Sequence, residues 1–223
     1  MKYAEAAVNR VIRIILRLLF RFDASELEKV PAGGPMLMIV NHVSVFEGPL
    51  LYVYMRPRNT IALAKKQLWE HRVTRFLMNI WGTIPVDRGM LDRQSMAQCF
   101  DVLKRGDFLC IAPEGTRSRD GKLRKGKEGI AFIAAKSHVP IIPVVTFGFE
   151  KFQEYAKRFR RTPVSIKVGS PFEIISRKGR LNAADRQAIT DEMMLRMAQL
   201  MPPEYHGRYE GREAVFHYTK DLN

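Results

Sequence analysis

Six short apolar runs, each ended by glycine, proline or charge, constrain the fold of this chain more than any other feature. The clearest, Met36-Leu37-Met38-Ile39-Val40, is apolar without alternation and reads as a strand covered on both faces. Similar runs occupy residues 60–64, 82–89, 108–112, 139–145 and 164–169. Helical stretches lie between them. The pattern predicts helices at 50–56, at 68–80 with Leu68, Phe76, Leu77 and Ile80 inward, at 92–105 with Met96, Phe100 and Leu103 on one face, and at 129–137. A last helix, 183–200, takes Asn182 as its cap and stops at Pro202-Pro203. Such alternation implies an α/β fold, a mixed, largely parallel central sheet flanked by helices. In sheets of this kind functional side chains gather in the loops at the carboxyl ends of the strands.

The loop leaving the first run, Asn41-His42-Val43-Ser44-Val45-Phe46-Glu47, carries groups suited to proton transfer. Imidazole has an unperturbed pKa of about 6.5, so near neutrality it accepts a proton and holds it as a cation. A carboxylate on its far nitrogen fixes the tautomer and stabilises that cation. On a single helix, residues at the spacing of His42 and Glu47 stand about 140° apart around the axis, which is poor for contact. The two meet only if His42 lies in the turn before a helix and Glu47 in its first turn. Ser44 as N-cap and Gly48-Pro49 near the helix start fit that arrangement. Equally, Ser44-x-x-Glu47 is a capping box, in which Glu47 only satisfies a backbone donor. Backbone amides at the helix start after Ser44 are candidate oxyanion donors.

A net charge of +14 implies an anionic partner: a nucleic acid, a membrane surface or a phosphorylated small molecule. Part of that charge is patterned. Arg10, Arg13, Arg17 and Arg21 recur at intervals of three and four within 6–22 and stack along one helical face. Val8, Val11, Ile12, Ile14, Ile15, Leu16, Leu18, Leu19 and Phe20 cover the rest of that helix. Its apolar runs fall short of the roughly 20 residues a spanning helix needs. It suits the plane of a bilayer interface, with guanidinium groups on lipid phosphates and the apolar side among acyl chains. Residues 1–30 are accordingly expected to form a membrane-association segment ahead of a main domain at 31–223, with no secretory signal. The only cysteines, Cys99 and Cys110, lack metal-ligand spacing, and no metal site is expected.

A second constellation follows the run at 108–112. Pro113-Glu114-Gly115-Thr116-Arg117-Ser118 combines a guanidinium fork, a hydroxyl and a glycine that permits close backbone approach. Arginine binds phosphate bidentately. Lys65 and Arg88, each at the end of a strand, are candidates to complete an anion pocket beside the histidine, and Lys122, Arg124, Lys125 and Lys127 lie close by in sequence.

In order along the chain, Asn41-His42-x4-Glu47, Gly82-Thr83-Ile84-Pro85-Val86-Asp87-Arg88, Pro113 to Ser118 and Val139-Pro140-Ile141-Ile142-Pro143-Val144 resemble the four blocks of the 1-acylglycerol-3-phosphate acyltransferase (PlsC-like) family. The resemblance covers about residues 30–175 and implies transfer of a fatty acyl group from acyl-CoA or acyl-carrier protein to the hydroxyl of lysophosphatidic acid, or alternatively of another lysophospholipid, with no cofactor. It implies His42 as general base, Glu47 as the group that orients it, and Glu114, Gly115, Thr116 and Arg117 on the acceptor phosphate with Lys65 and Arg88 in support. It further implies a peripheral or monotopic enzyme on the cytoplasmic side of a membrane, with the strand at 139–145 walling the acyl channel. One departure is plain: the family's usual carboxylate in the first block is aspartate, and this chain has Glu47. A hydrolase with a covalent nucleophile lacks support, because there is no GxSxG elbow. A nucleic-acid binder lacks the aromatic interleaving and motif such proteins show, so no nucleic acid is expected as partner.

Overall fold

The computed structural model describes residues 2–87, 92–175 and 181–222. In chain order its elements are α1 (Lys2–Leu19), β1 (Phe20–Arg21), β2 (Met36–Val40), α2 (Glu47–Tyr54), β3 (Thr60–Lys65), α3 (Arg72–Ile80), β4 (Ile84–Val86), α4 (Arg93–Lys104), β5 (Phe108–Ile111), α5 (Gly129–Ser137), β6 (Ile141–Phe147), α6 (Phe152–Lys157), β7 (Thr162–Pro163), β8 (Ser165–Val168), β9 (Phe172–Ile174), α7 (Ala183–Ala198) and β10 (Thr219–Asp221). The expected apolar runs become strands. The sheet has the order β10-β9-β6-β2-β5-β3-β4, with β8 also paired to β6. Strands β2 to β6 pair in parallel, while β8 and β9 run antiparallel to β6 and β10 runs antiparallel to β9. The sheet is therefore mixed, and the loops after β2, β3, β4 and β5 all leave from one edge.

Period-two alternation divides the core between two faces. Leu37, Ile39, Leu109, Ile111, Ile141 and Val145 meet residues of α4, α5 and α7. Met38, Val40, Phe108, Cys110, Ile142 and Val144 meet residues of α1 and α2. Burial pushes the Cys110 thiol up to about 12, leaving a small inert hydrophobe. Strand β6 is sheet core rather than channel wall: Ile141, Ile142, Val144 and Val145 are fully buried.

Leu16 of α1 joins the same core, as do Phe20, Leu27 and Val30, so residues 16–30 pack with the rest. The helix ends at Leu19 instead of running to 22, because Phe20–Arg21 pairs in parallel with Thr162–Pro163. Opposite the buried Leu16, its side chains Val11, Ile14, Ile15 and Leu18 are exposed, Leu18 to 68 %. The arginines flank that face. Arg13 donates to the Val53 carbonyl at 3.1 Å and Arg17 to the Tyr54 hydroxyl at 3.2 Å, which draws part of the stripe onto α2.

Two expected faces are different. In α4 the buried side chains are Ser95, Cys99, Val102 and Leu103, with Met96 and Phe100 only half-buried. In α3 no side chain is buried: of those expected inward, Leu68 and Phe76 are exposed while Leu77 and Ile80 are half-buried, and Val73 is exposed too. The cause is position: α3 leads into β4, the edge strand, and no second layer among the described residues covers it. Its end meets α1, where Trp81 Nε1 donates to Asn9 Oδ1 at 3.3 Å.

Candidate active site

His42 follows β2 directly and Glu47 opens α2. His42 Nδ1 lies 2.8 Å from Glu47 Oε2, and Glu47 Oε1 accepts the amides of Val43 at 2.8 Å and Ser44 at 2.7 Å. Glu47 thus orients the imidazole with one carboxylate oxygen and holds backbone amides with the other. Ser44 is not the N-cap: the helix starts at Glu47, and the Ser44 hydroxyl accepts the Phe46 amide at 3.3 Å. Of the amides after Ser44 expected as oxyanion donors, that of Phe46 is thereby taken, while Glu47 holds those of Val43 and Ser44.

The backbone of the loop is held from both neighbouring strands. Asn41 Nδ2 donates to the Thr146 carbonyl at 2.7 Å, and the Thr146 amide donates back to Asn41 Oδ1 at 2.8 Å. The Ser118 amide donates to the His42 carbonyl at 2.7 Å. Glu114 does not face a phosphate. Its carboxylate is buried, with Oε1 accepting the His42 amide and Oε2 the Arg124 amide, each at 3.0 Å. A carboxylate would in any case repel a phosphate. Glu114 instead fixes the His42 loop to the loop that follows β5.

Burial raises the Glu47 carboxyl above the usual range, opposed by His42 and the amides of Val43 and Ser44. Burial likewise lifts Glu114 to about 7, opposed by the amides of His42 and Arg124. Outside these two acids the site is open. The His42 side chain is 34 % exposed, and with Nδ1 on Glu47 its Nε2 is the nitrogen presented to a substrate. Thr116 and Arg117 are exposed on the turn after β5, the strand beside β2. Gly115 has φ +64°, a conformation a side chain resists, and a Cβ there would stand 2.9 Å from Lys127 Cε. The Lys127 side chain therefore lies across Gly115. Lys65 is exposed at the end of β3, one strand further along the same edge. Arg88 lies outside the described residues.

Asn41 and the true role of Glu114 were not legible in the sequence. An asparagine just after a buried strand is a weak signal that its amide extends the ladder, and here it does so.

A family model described as Acyltransferase matches residues 21–146, and the chain belongs to that family. Within it, the similar proteins are 1-acyl-sn-glycerol-3-phosphate acyltransferases. The enzyme of Limnanthes douglasii is 30 % identical over 60 % of this chain and 49 % of its own length. The human beta enzyme is 28 % identical over 77 % of this chain and 61 % of its own length. The chloroplastic BAT2 enzyme of Brassica napus is 29 % identical over 59 % of this chain and 39 % of its own length, so this chain spans only part of each relative. The crystal structure of PlsC, the 1-acyl-sn-glycerophosphate acyltransferase of Thermotoga maritima, shares the fold with a TM-score of 0.62 at 21 % identity, covering 89 % of this chain and 79 % of that one.

Proposed function

We propose that the chain moves a fatty acyl group from an acyl thioester, acyl-CoA or acyl-carrier protein, to the free hydroxyl of 1-acyl-sn-glycerol-3-phosphate, giving phosphatidic acid. The carrying observation is the 2.8 Å contact of His42 Nδ1 with buried Glu47, on a loop hydrogen-bonded to the one bearing Arg117. Neutral His42 keeps its proton on Nδ1, donated to Glu47, and accepts the acceptor's hydroxyl proton at Nε2. The oxygen attacks the thioester carbonyl and a C–O bond forms. The tetrahedral intermediate collapses, the C–S bond breaks, and the thiolate takes the proton back from Nε2. Imidazole chemistry of this kind needs no further cofactor.

Arg117 binds the acceptor phosphate, aided by the Thr116 hydroxyl, the Gly115 backbone, Lys65 and Arg88. Glu114 stands behind them as a positioning residue. The exposed apolar face of α1 docks the enzyme peripherally on the cytoplasmic side of an anionic membrane, where lysophospholipids reside, and the outward face of α3 adds to it. The test is an assay of the purified chain with labelled acyl-CoA and acyl-carrier protein against a panel of lysophospholipids, with products identified by mass spectrometry. Phosphatidic acid from 1-acyl-sn-glycerol-3-phosphate is expected. Acylation of a neutral or zwitterionic lysolipid alone would overturn the acceptor assignment.

A further inference from the structure

Helix α6 ends in a turn built for glycine and filled by phenylalanine. The Arg160 amide donates to the Tyr155 carbonyl and the Phe159 amide to the Ala156 carbonyl, both at 3.0 Å, the pattern of a Schellman motif. Phe159 therefore occupies the left-handed position just past the helix, with φ +51°. Glycine or asparagine suits that position, and a bulky side chain is strained there. Yet the Phe159 side chain is 100 % exposed, so no packing among the described residues offsets the strain.

Its surroundings are cationic. Lys157, Arg158, Arg160 and Arg161 are all exposed, and exposed Arg21 is brought alongside by the β1–β7 pairing. Arg158 is partnered by Glu154 at 3.4 Å. Arg161 donates through Nε and Nη2 to the Phe20 carbonyl at 3.1 and 2.8 Å, which fastens the turn to the end of α1. A cleft of about 480 Å³ lies among Arg21, Tyr155, Phe159, Arg160 and Arg161.

We infer that the turn at 157–161 is a second membrane anchor: the Phe159 ring enters the headgroup region of an anionic bilayer while Arg160 and its neighbours take lipid phosphates. Charge complementarity carries the choice of partner, since an exposed ring circled by cations meets both layers of such an interface. Continuity carries it too. The Arg161–Phe20 clamp joins this turn to the helix whose apolar face is already exposed. The inference rests on the proposed docking of the chain on a membrane but concerns a contact separate from that of α1.

The test is cosedimentation of the full chain with phosphatidylcholine vesicles, with and without phosphatidylglycerol. Phe159→Asn should raise the melting temperature, because asparagine accepts the left-handed backbone, and weaken binding to anionic vesicles about tenfold. Arg160→Ala should weaken anionic binding about fivefold and leave neutral vesicles unaffected. A merely structural role for Phe159 would move stability and binding in the same direction. Wild-type affinity in Phe159→Asn, with binding lost in Ile14→Ser/Leu18→Ser, would overturn this anchor and leave the α1 reading standing. The opposite pair of results would overturn the α1 reading and leave this anchor. Failure of the wild-type chain to bind any vesicle would sink both. If short duplex DNA binds the turn and only that binding responds to these substitutions, the surface is for nucleic acid and the inference is wrong.

Discussion

The loops at the carboxyl edge of the sheet and the outer faces of α1 and α3 solve opposite problems. At the edge, polar groups are buried and then satisfied in full view: Glu47 holds a ring nitrogen and two amides, Glu114 holds two more amides, and Asn41 completes a ladder. A buried carboxylate is tolerated only on such terms. On the helices, apolar groups are left in water: Leu18 is 68 % exposed and Val73 73 %. The first region is complete within the chain, whereas the second lacks a partner among the described residues. Rigidity belongs to the chemistry, and incompleteness belongs to the surface that must meet something else. Between them lies the core, where Phe46 of the His42 loop packs edge-on against buried Phe20, just past the end of α1, ring centroids 4.9 Å apart.

If that division holds, substitutions in each region should disturb one property and spare the other. His42→Ala should lower kcat by about a thousandfold or more, measured by product formation, while vesicle binding stays at the wild-type value. Ile14→Ser/Leu18→Ser should weaken vesicle binding by about a hundredfold, each lost apolar contact contributing a factor of about ten. Equal loss of chemistry and binding in either variant would erase the contrast. Arg117→Ala should raise KM for phosphorylated acceptors by about tenfold with little change for the acyl donor, as loss of a charge-assisted contact requires. Equal loss for both substrates would argue against its phosphate role.

The smallest effect concerns Glu114. Its folded-state pKa, about 7, stands above the ordinary 4.5, so the folded chain binds the extra proton between those values. The stability tied to that proton is complete below about 4.5 and lost as pH rises through about 7, a difference of at most about 3 kcal/mol. Compared with Glu114→Gln, which cannot titrate, the wild-type melting temperature should fall more steeply from pH 5 to about pH 8. Parallel curves would show that the Glu114 environment is not as buried as described.

How far the sequence revealed this division depended on the distance between partners. His42 and Glu47 are close in the chain, so a helix start between them was enough to foresee their contact. The capping box read at Ser44-x-x-Glu47 does not form, because the helix starts at Glu47 itself, yet Glu47 does hold the Ser44 amide that reading gave it. Glu114 was misread because its partners are backbone amides, one of them 72 residues away, and amides carry no residue identity. The amphipathic periodicity of α3 was visible too, but periodicity does not say what the apolar face meets. Only the edge position of β4 shows that nothing within the described residues covers it.

The account stands on the proton of the His42 ring. A general base acting through Nε2 requires that the neutral imidazole carry its hydrogen on Nδ1, facing Glu47. Nitrogen-15 NMR of the ring-labelled protein above the pH of histidine titration reads this directly. The predicted result is a dominant Nδ1–H tautomer that gives way to a mixture in Glu47→Gln. A ring protonated at Nε2 in the wild-type chain would contradict the mechanism.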